Sequence, residues 1–371
     1  MNQIQDRVFN EHLLSAIQIF EGETDNPLLA PRGVFLKNGR ILVTDTGQNR
    51  LFIWNQIPDG AFAKPDITLG QATAAGVGRN AGGKVSASTL LYPSGLWTDG
   101  VRLIVADAWN HRVLVWHTFP SHDGQAADVV IGQPDFGHNA PNVKGIAASP
   151  SAQSLNWPYG VWSDGKALWI ADTGNRRVLF FENIPTTNFA AADQVIGKPS
   201  FSDRDYDHKD AIWPYSVKVS PAGAMAITDT QYYRVLLWHN WRDGLSRPAD
   251  VIIGQPDIDQ NGQNQFKWFP EAYTLNWCYD SCFYQNGLWV ADTGNSRILW
   301  HDQLPRQHNA AAIDLLGQND FNTGSENKNS IRSTEGSYYW PFSICIEDQI
   351  MVVADTGNHR LVINNLKNKR A

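Results

Sequence analysis

An aspartate followed five residues later by an arginine recurs six times along the 371-residue chain, and successive aspartates are 62, 65, 57, 63 and 63 positions apart. Four copies read Asp-Thr-Gly-Asn/Gln-x-Arg, in which Gly and Asn can supply the positive φ that a tight turn requires. Repetition at a nearly fixed interval indicates that one structural unit is copied along the chain. The six pairs are Asp45/Arg50, Asp107/Arg112, Asp172/Arg177, Asp229/Arg234, Asp292/Arg297 and Asp355/Arg360.

Two further signals flank each pair. An aromatic-Pro-x-small-apolar step precedes it, and an Ile/Leu-Gly-Gln/Lys step follows it in the first five units. Short runs rich in β-branched and aromatic residues lie between these signals, which is typical of strands. Each unit therefore predicts four strands, which in the third unit are 158–163, 167–172, 177–183 and 192–197. The entry steps are Tyr92-Pro93, Trp157-Pro158, Trp213-Pro214 and Trp340-Pro341, with Trp277-Cys278 as a deviant copy and Pro31-Arg32-Gly33-Val34 as a copy without the aromatic residue.

Six four-stranded antiparallel units predict an all-β fold, a six-bladed β-propeller that forms a single domain over residues 1–371. An open solenoid is the alternative, but it needs atypical capping repeats at both ends. The last unit is one strand short, and residues 16–22 supply a spare strand that can pair with the last blade and close the ring. The predicted blades are about 30–71, 92–133, 157–198, 213–255, 277–318 and 340–366.

The Pro-x-Gly-Val step and the Ala-Asp-Thr-Gly-Asn-x-Arg-Val turn together resemble the NHL repeat, and the resemblance extends over residues 16–366. It implies a six-bladed propeller. It does not define a function, because the family includes RNA-binding modules, protein-binding modules and enzymes. Related propellers include peptide-amidating lyases, strictosidine synthases, lactonases and paraoxonases. The His and Tyr residues that surround zinc in the amidating lyases have no residue-by-residue match here.

Charge and composition narrow the classes of partner. The net charge is −7, and no Lys/Arg cluster lies on the predicted working face, which argues against nucleic acid as a partner. No run of 18 apolar residues predicts a membrane span, and residues 1–20 lack the features of a secretory signal. Three cysteines in a chain of this length do not indicate a disulfide framework. These features predict a soluble cytoplasmic protein without a membrane partner.

In a propeller, the turns between second and third strands share one face with the loops that join the blades, here called the loop face. The five inter-blade loops contain 16 to 25 residues, so a pocket is expected where they converge. Aromatic residues at the entry to the inner strands and in two deviant turns are candidates for binding a ligand there. The alternative is that the regularly placed aromatic residues only pack between blades. The candidates are Trp109, Trp157, Trp213, Tyr232, Tyr233, Trp277 and Trp340.

Blade five departs most from the repeat, since Asp280 stands where other blades have Gly or Ser. A buried carboxylate is costly unless it meets solvent, a cation or a donor, so Asp280 is a candidate catalytic residue. Glu271 and Glu335, late in the loops before blades five and six, are two further candidate acids or bases. If the protein is an enzyme, these three carboxylates are its predicted catalytic residues.

The repeat register aligns Lys218 with two of the three cysteines, Cys282 and Cys345, and predicts that they cluster with Asp280 around the central channel. A thiolate beside a lysine is a candidate nucleophile, and two thiolates can bind a soft metal. The alternative is that these cysteines, like Cys278, are small apolar core residues. The sequence leaves the cofactor unknown and allows a divalent metal in the channel.

The sequence is compatible with two functions. The first is a binding module that presents its loop face to a protein, a peptide or a small-molecule ligand. The second is a lyase, cyclase or hydrolase with its active site in the central mouth of the propeller.

Overall fold

The computed structural model describes residues 13–367, so residues 1–12 and 368–371 of the predicted domain lie outside the described part. It is all-β, with six antiparallel sheets of four strands each, which confirms the predicted six-bladed propeller. The strands are β1 (Leu14–Phe20), β2 (Gly33–Lys37), β3 (Arg40–Asp45), β4 (Arg50–Trp54), β5 (Ile67–Leu69), β6 (Pro93–Thr98), β7 (Leu103–Asp107), β8 (Arg112–Trp116), β9 (Val129–Ile131), β10 (Pro158–Ser163), β11 (Leu168–Asp172), β12 (Arg177–Phe181), β13 (Gln194–Ile196), β14 (Pro214–Val219), β15 (Met225–Asp229), β16 (Arg234–Trp238), β17 (Val251–Ile253), β18 (Asp280–Tyr284), β19 (Gly287–Asp292), β20 (Arg297–His301), β21 (Asp314–Leu316), β22 (Pro341–Glu347), β23 (Ile350–Asp355) and β24 (Arg360–Leu366).

Short 3₁₀ segments are the only helices in residues 13–367, and none is long or apolar enough to cross a bilayer. Six of them form the turns between second and third strands, directly after each repeated aspartate. These are Thr46–Gln48, Ala108–Asn110, Thr173–Asn175, Thr230–Tyr232, Thr293–Asn295 and Thr356–Asn358. The other four lie outside these turns, and they are Arg79–Gly82, Trp241–Leu245, Gln263–Phe266 and Glu326–Asn329.

The ring closes through the first and last segments of the chain. Strand β1 pairs antiparallel with β24, placing Phe20 opposite Leu361, so the last blade obtains its fourth strand from the N-terminal side. The closing strand was predicted at 16–22 and is found two residues earlier. On the loop face, the Ala30 N–H donates to Nδ1 of His359 at 3.1 Å, which adds a second link between the first and last blades. Closure leaves the last blade without an unpaired outer edge.

The repeated Asp and Arg side chains form buried ion pairs in all six blades. The distances between Arg Nε and Asp Oδ2 are 2.6 to 2.9 Å, and neither partner is more than 4% exposed. Each arginine also donates to backbone carbonyls of the adjoining loops. For example, Arg112 reaches the carbonyls of Ser86 and Thr89 before its blade and that of Phe136 after it, each at 2.9 Å. The pairs therefore anchor the long loops, and their role is structural.

Apolar side chains fill the space between neighbouring blades. Trp116, Trp169 and Trp289 are among the largest fully buried side chains, and each lies on or at the end of a second or third strand. Because every strand alternates its side chains between two faces, each sheet can pack against both neighbours. The inner strands are left to surround the channel, and their first residues determine what lies at its mouth.

Candidate functional site

Six residues, one from each blade, fill the channel near the loop face. Each stands directly after the proline of the entry step, or after its Cys278 counterpart in blade five. Aromatic contacts join four of the six, with centroid distances of 4.7 Å for Tyr159–Tyr215, 4.6 Å for Tyr215–Tyr279 and 4.1 Å for Tyr279–Phe342. The cavity left inside the channel is only about 20 Å³, which is enough for a water molecule. The six residues are Arg32, Ser94, Tyr159, Tyr215, Tyr279 and Phe342.

Arg32 is the only charged member of this channel ring. Its guanidinium carbon lies 4.3 Å from the Phe342 ring centroid and 4.9 Å from that of Tyr92, and its Nη1 donates to the Tyr215 hydroxyl at 3.4 Å. Within residues 13–367, no carboxylate lies within ion-pair distance of it. A guanidinium keeps its charge at neutral pH, and a partly enclosed charge without a counter-ion is costly. This position is therefore suited to receiving an anion.

A cleft of about 490 Å³ opens on the loop face beside Arg32, between blades five, six and one. We call it the mouth cleft. Trp277 and Trp340 are 46% and 40% exposed, and both have left-handed backbones with φ of 45° and 53°. The structure thus brings together two of the predicted ligand-binding tryptophans and one charged residue. The side chains that line the cleft are chiefly Arg32, Trp277, Tyr279, Tyr339, Trp340, Phe342 and His359.

The other predicted aromatic residues lie outside the mouth cleft. Trp157 and Trp213 are partly buried and contact each other, with ring centroids 6.2 Å apart. Trp109 stacks on Tyr92 at 4.5 Å and donates from Nε1 to the Tyr159 hydroxyl at 3.3 Å.

The two tyrosines of the blade-four turn are also partly buried and away from the mouth cleft. Tyr232 contacts Tyr206 edge to face, with centroids 6.2 Å apart. Its neighbour Tyr233 has a left-handed backbone with φ of 51°. The predicted set of seven aromatic residues therefore divides into one pair at the mouth cleft and five residues elsewhere.

Asp280 lies within the channel below the ring and is held by four groups. Its Oδ1 is 3.3 Å from Nζ of Lys218 and accepts the Ser281 N–H at 2.9 Å. Its Oδ2 accepts from the Ser343 hydroxyl at 2.9 Å and from the Ile344 N–H at 3.0 Å. Burial acts to lower the pKa of Lys218, but the Asp280 carboxylate leads the effects that leave it raised. Asp280 therefore links blades four, five and six.

The predicted cluster of Lys218, Cys282 and Cys345 is present, and it lines a cavity of about 480 Å³ that opens on the face opposite the loops. Burial raises the pKa of the Cys282 thiol, and it raises the pKa of Cys345 to about 11. Both thiols are therefore protonated at neutral pH and are weak nucleophiles. Cys278 is buried elsewhere, 3.2 Å from the Arg234 carbonyl. Residues 13–367 contain no group of three His, Cys, Asp or Glu side chains arranged to hold a metal ion.

Glu271 and Glu335 do not join Asp280. Glu271 forms an ion pair with Lys267 at 2.9 Å, and the Tyr273 hydroxyl and this ammonium lower the pKa of its carboxyl. Glu335 is exposed. Neither glutamate lines the mouth cleft, so the structure does not bring the three predicted catalytic carboxylates into one site. Arg32 was not among the site residues predicted from the sequence, although it occupies a repeat position.

Comparisons with known proteins address the fold. No family model matches the chain, and no curated protein matches it. An auxiliary nutrient binding protein from Bacteroides thetaiotaomicron is 11% identical, with a TM-score of 0.53 over 95% of this chain and 76% of that one. A catalytically inactive virginiamycin B lyase from Staphylococcus aureus with quinupristin is also 11% identical, with a TM-score of 0.46 over 95% and 99%. At this identity the likeness concerns architecture alone.

Proposed function

We propose that this protein is a binding propeller whose mouth cleft holds a small ligand with an anionic group beside a flat apolar body. The observation that carries the proposal is Arg32, a partly enclosed guanidinium with no carboxylate partner among the described residues. An anionic group would meet this charge at the floor of the cleft. The five N–H donors of a guanidinium suit a carboxylate or a phosphate.

The walls of the mouth cleft are suited to the flat apolar body of the proposed ligand. The half-exposed rings of Trp277 and Trp340 offer apolar surface for a flat group at little conformational cost. The volume of about 490 Å³ lies within the range of small-molecule pockets. A free acid and the C-terminal carboxylate of a peptide share this chemistry, and a small free acid is the better fit to a cleft of this size.

An enzyme with its active site in the mouth has less support. Asp280 is tied by Lys218 and three hydrogen bonds below the channel ring, and Glu271 is an ion-paired surface carboxylate with a lowered pKa. A general acid or base needs access to the substrate and a pKa near the working pH. We therefore propose that the function is binding. We also propose, from its repeated turns, that the chain belongs with the NHL-repeat propellers.

Isothermal titration calorimetry with indole-3-acetate and phenyl phosphate tests this proposal, with indole-3-acetamide as the uncharged match of the first probe. We expect both anions to bind the wild-type protein at least tenfold more tightly than the amide, since a hydrogen bond to a charged group contributes about 1.5 kcal/mol or more. Arg32→Gln should reduce the binding of both anions to the level of the amide. Arg306→Gln removes the same charge from an exposed position that does not line the cleft, and it should change nothing.

Two results would overturn the proposal. One is that neither anion binds the wild-type protein. The other is that Arg32→Gln and Arg306→Gln bind the anions equally well.

A further inference from the structure

Three aromatic side chains project into solvent from one inter-blade loop, 261–273, on the loop face. Phe266 is 77% exposed, Trp268 97% and Phe269 69%. Such exposure of neighbouring large apolar side chains is unusual for a folded chain and marks a candidate binding surface. None of these residues was singled out from the sequence, because they lie in a loop where the strand repeat is not visible.

The turn that carries these aromatic residues does not need them. Four inter-blade loops share a left-handed turn that begins at an asparagine, with φ of 49°, 49°, 46° and 49°. In each loop this asparagine exchanges amide hydrogen bonds with the asparagine of a neighbouring Asp-x-x-Asn turn, as in the pair Asn264 and Asn295. The four asparagines are Asn80, Asn142, Asn264 and Asn327.

The residue four positions after the asparagine differs between these loops. It is Lys84, Ile146, Trp268 or Ile331. After Asn80 the same turn forms with Ala81 and Gly82, which have almost no side chain to contribute. The aromatic cluster is therefore a local addition to a common loop rather than a requirement of its folding.

Beside the aromatic cluster lies a cleft of about 410 Å³, which we call the amide cleft. Trp268 and Phe269 are among the residues that line it, and none of its lining residues is charged. The nearby Lys267 is neutralised by its ion pair with Glu271 at 2.9 Å. The Ser325 hydroxyl oxygen is buried there without a hydrogen-bond partner. The polar side chains that line the cleft are Gln263, Asn264, Asn276, Asn295, Asn322, Thr323, Ser325 and Asn329.

We infer that the amide cleft binds a neutral carbohydrate. A sugar ring presents C–H groups that pack against an aromatic face, and Trp268 offers such a face almost fully exposed. Amide and hydroxyl side chains can both donate and accept, which matches the hydroxyl groups of a sugar. Because none of the lining residues is charged, the cleft has no counter-ion for an ionic ligand. The inference does not depend on the mouth cleft, although Gly294 borders both clefts.

Calorimetric titration with four neutral hexasaccharides tests this inference: cellohexaose, maltohexaose, xylohexaose and mannohexaose. We expect at least one to bind the wild-type protein and Trp268→Ala to weaken that binding roughly tenfold or more, as for an aromatic hot spot. Ile146→Ala is the matched control, because Ile146 occupies the equivalent loop position and is 58% exposed. Ile146→Ala should leave hexasaccharide binding unchanged, and so should Arg32→Gln. Because Arg32→Gln alters only the mouth cleft, a failure of the mouth-cleft proposal can be distinguished from a failure of the inference about the amide cleft.

Three outcomes would overturn the inference. The first is that no hexasaccharide binds at millimolar concentration, and the second is that Trp268→Ala binds as tightly as the wild type. The third is that the wild-type protein self-associates and Trp268→Ala abolishes this, which would identify the aromatic cluster as an interface between copies. Since Trp268 is 97% exposed, its replacement should leave the unfolding free energy unchanged, and urea titration checks that the variant is folded.

Discussion

The guanidinium carbon of Arg32 lies 4.3 Å from the centroid of the Phe342 ring, so side chains of the first and last blades meet at the centre of the propeller. Both residues occupy the same position of the repeat, directly after the proline of the entry step. Five blades place an aromatic or serine side chain there, and one places a cation. The side chain at this position fills the channel in most blades. In blade one it is Arg32, which forms the charged floor of the mouth cleft.

Two tryptophans of similar exposure should contribute unequally to ligand binding, because only one of them lines the mouth cleft. Trp340→Ala should weaken the binding of indole-3-acetate about tenfold, because it removes one aromatic wall of the cleft. Trp109→Ala is the matched control, since both side chains are 40% exposed but Trp109 stacks on Tyr92 outside the cleft. Calorimetry on the two variants measures the difference. Equal losses would mean that exposure on the loop face, rather than the mouth cleft, determines binding.

The buried Asp–Arg pairs should dominate the stability of the blades. Asp172→Asn leaves the fully buried Arg177 without its counter-charge, and we expect the unfolding free energy to fall by about 3 kcal/mol or more. Asp243→Asn removes one of the two carboxylates that pair with Arg247, in a pair whose side chains are both well exposed, and it should cost at most about 1 kcal/mol. Urea denaturation of both variants checks this. A similar small loss for Asp172→Asn would contradict the structural role of the repeated pairs.

The Lys218–Asp280 pair should behave as a structural ion pair. Asp280→Asn and Lys218→Met each leave one charge buried and unpaired, so each should cost about 3 kcal/mol of unfolding free energy. The double variant leaves neither charge behind and should lose clearly less than the sum of the two. A double-mutant cycle by urea denaturation measures this coupling. Additive losses would show that the two charges do not stabilise each other. Loss of indole-3-acetate binding in the folded Asp280→Asn variant would show that Asp280 belongs to the functional site.

Burial of His301 makes stability depend on pH. Burial lowers its pKa from 6.5 to about 4, and its Nε2 has no hydrogen-bond partner. Between these two values the unfolded chain binds a proton that the folded protein does not. The contribution of the neutral His301 to the unfolding free energy is therefore fully present above pH 6.5. It decreases by about 3 kcal/mol as the pH falls toward 4.

His301→Phe removes this proton-binding site and should flatten the dependence of the unfolding free energy on pH in that window. The variant should keep part of the slope, because burial also lowers the pKa of His111 to about 4. Urea denaturation at several pH values between 4 and 7 measures both slopes. Identical slopes for wild type and variant would show that His301 is not the group responsible, whatever the variant's overall stability.

Much of the fold could be predicted because the repeat aligns equivalent positions. In the third unit the predicted strand 158–163 agrees with β10, and the predicted strand 167–172 begins one residue before β11. The same alignment placed Lys218, Cys282 and Cys345 together. The repeat shows which position of a strand each residue occupies. This was enough to predict which side chains lie together along the common channel.

The mouth and amide clefts were harder to predict. Arg32 stands in the copy without an entry aromatic, and only the packing of six inner strands shows that its side chain meets Phe342. Trp268 lies in a loop whose similarity to the other loops becomes visible through its left-handed turn. Glu271 was expected to reach the mouth, but its ion pair with Lys267 holds it away from the cleft. These positions depend on packing across blades, which the period of the sequence does not describe.

A crystal structure of the wild-type protein with bound indole-3-acetate would show whether Arg32 binds the anionic group of the ligand. We expect the carboxylate within hydrogen-bond distance of the Arg32 guanidinium, about 2.7–3.2 Å, and the indole ring against Trp277 or Trp340. Indole-3-acetate bound at another site, with Arg32 making no contact to it, would show that the mouth cleft is not the binding site.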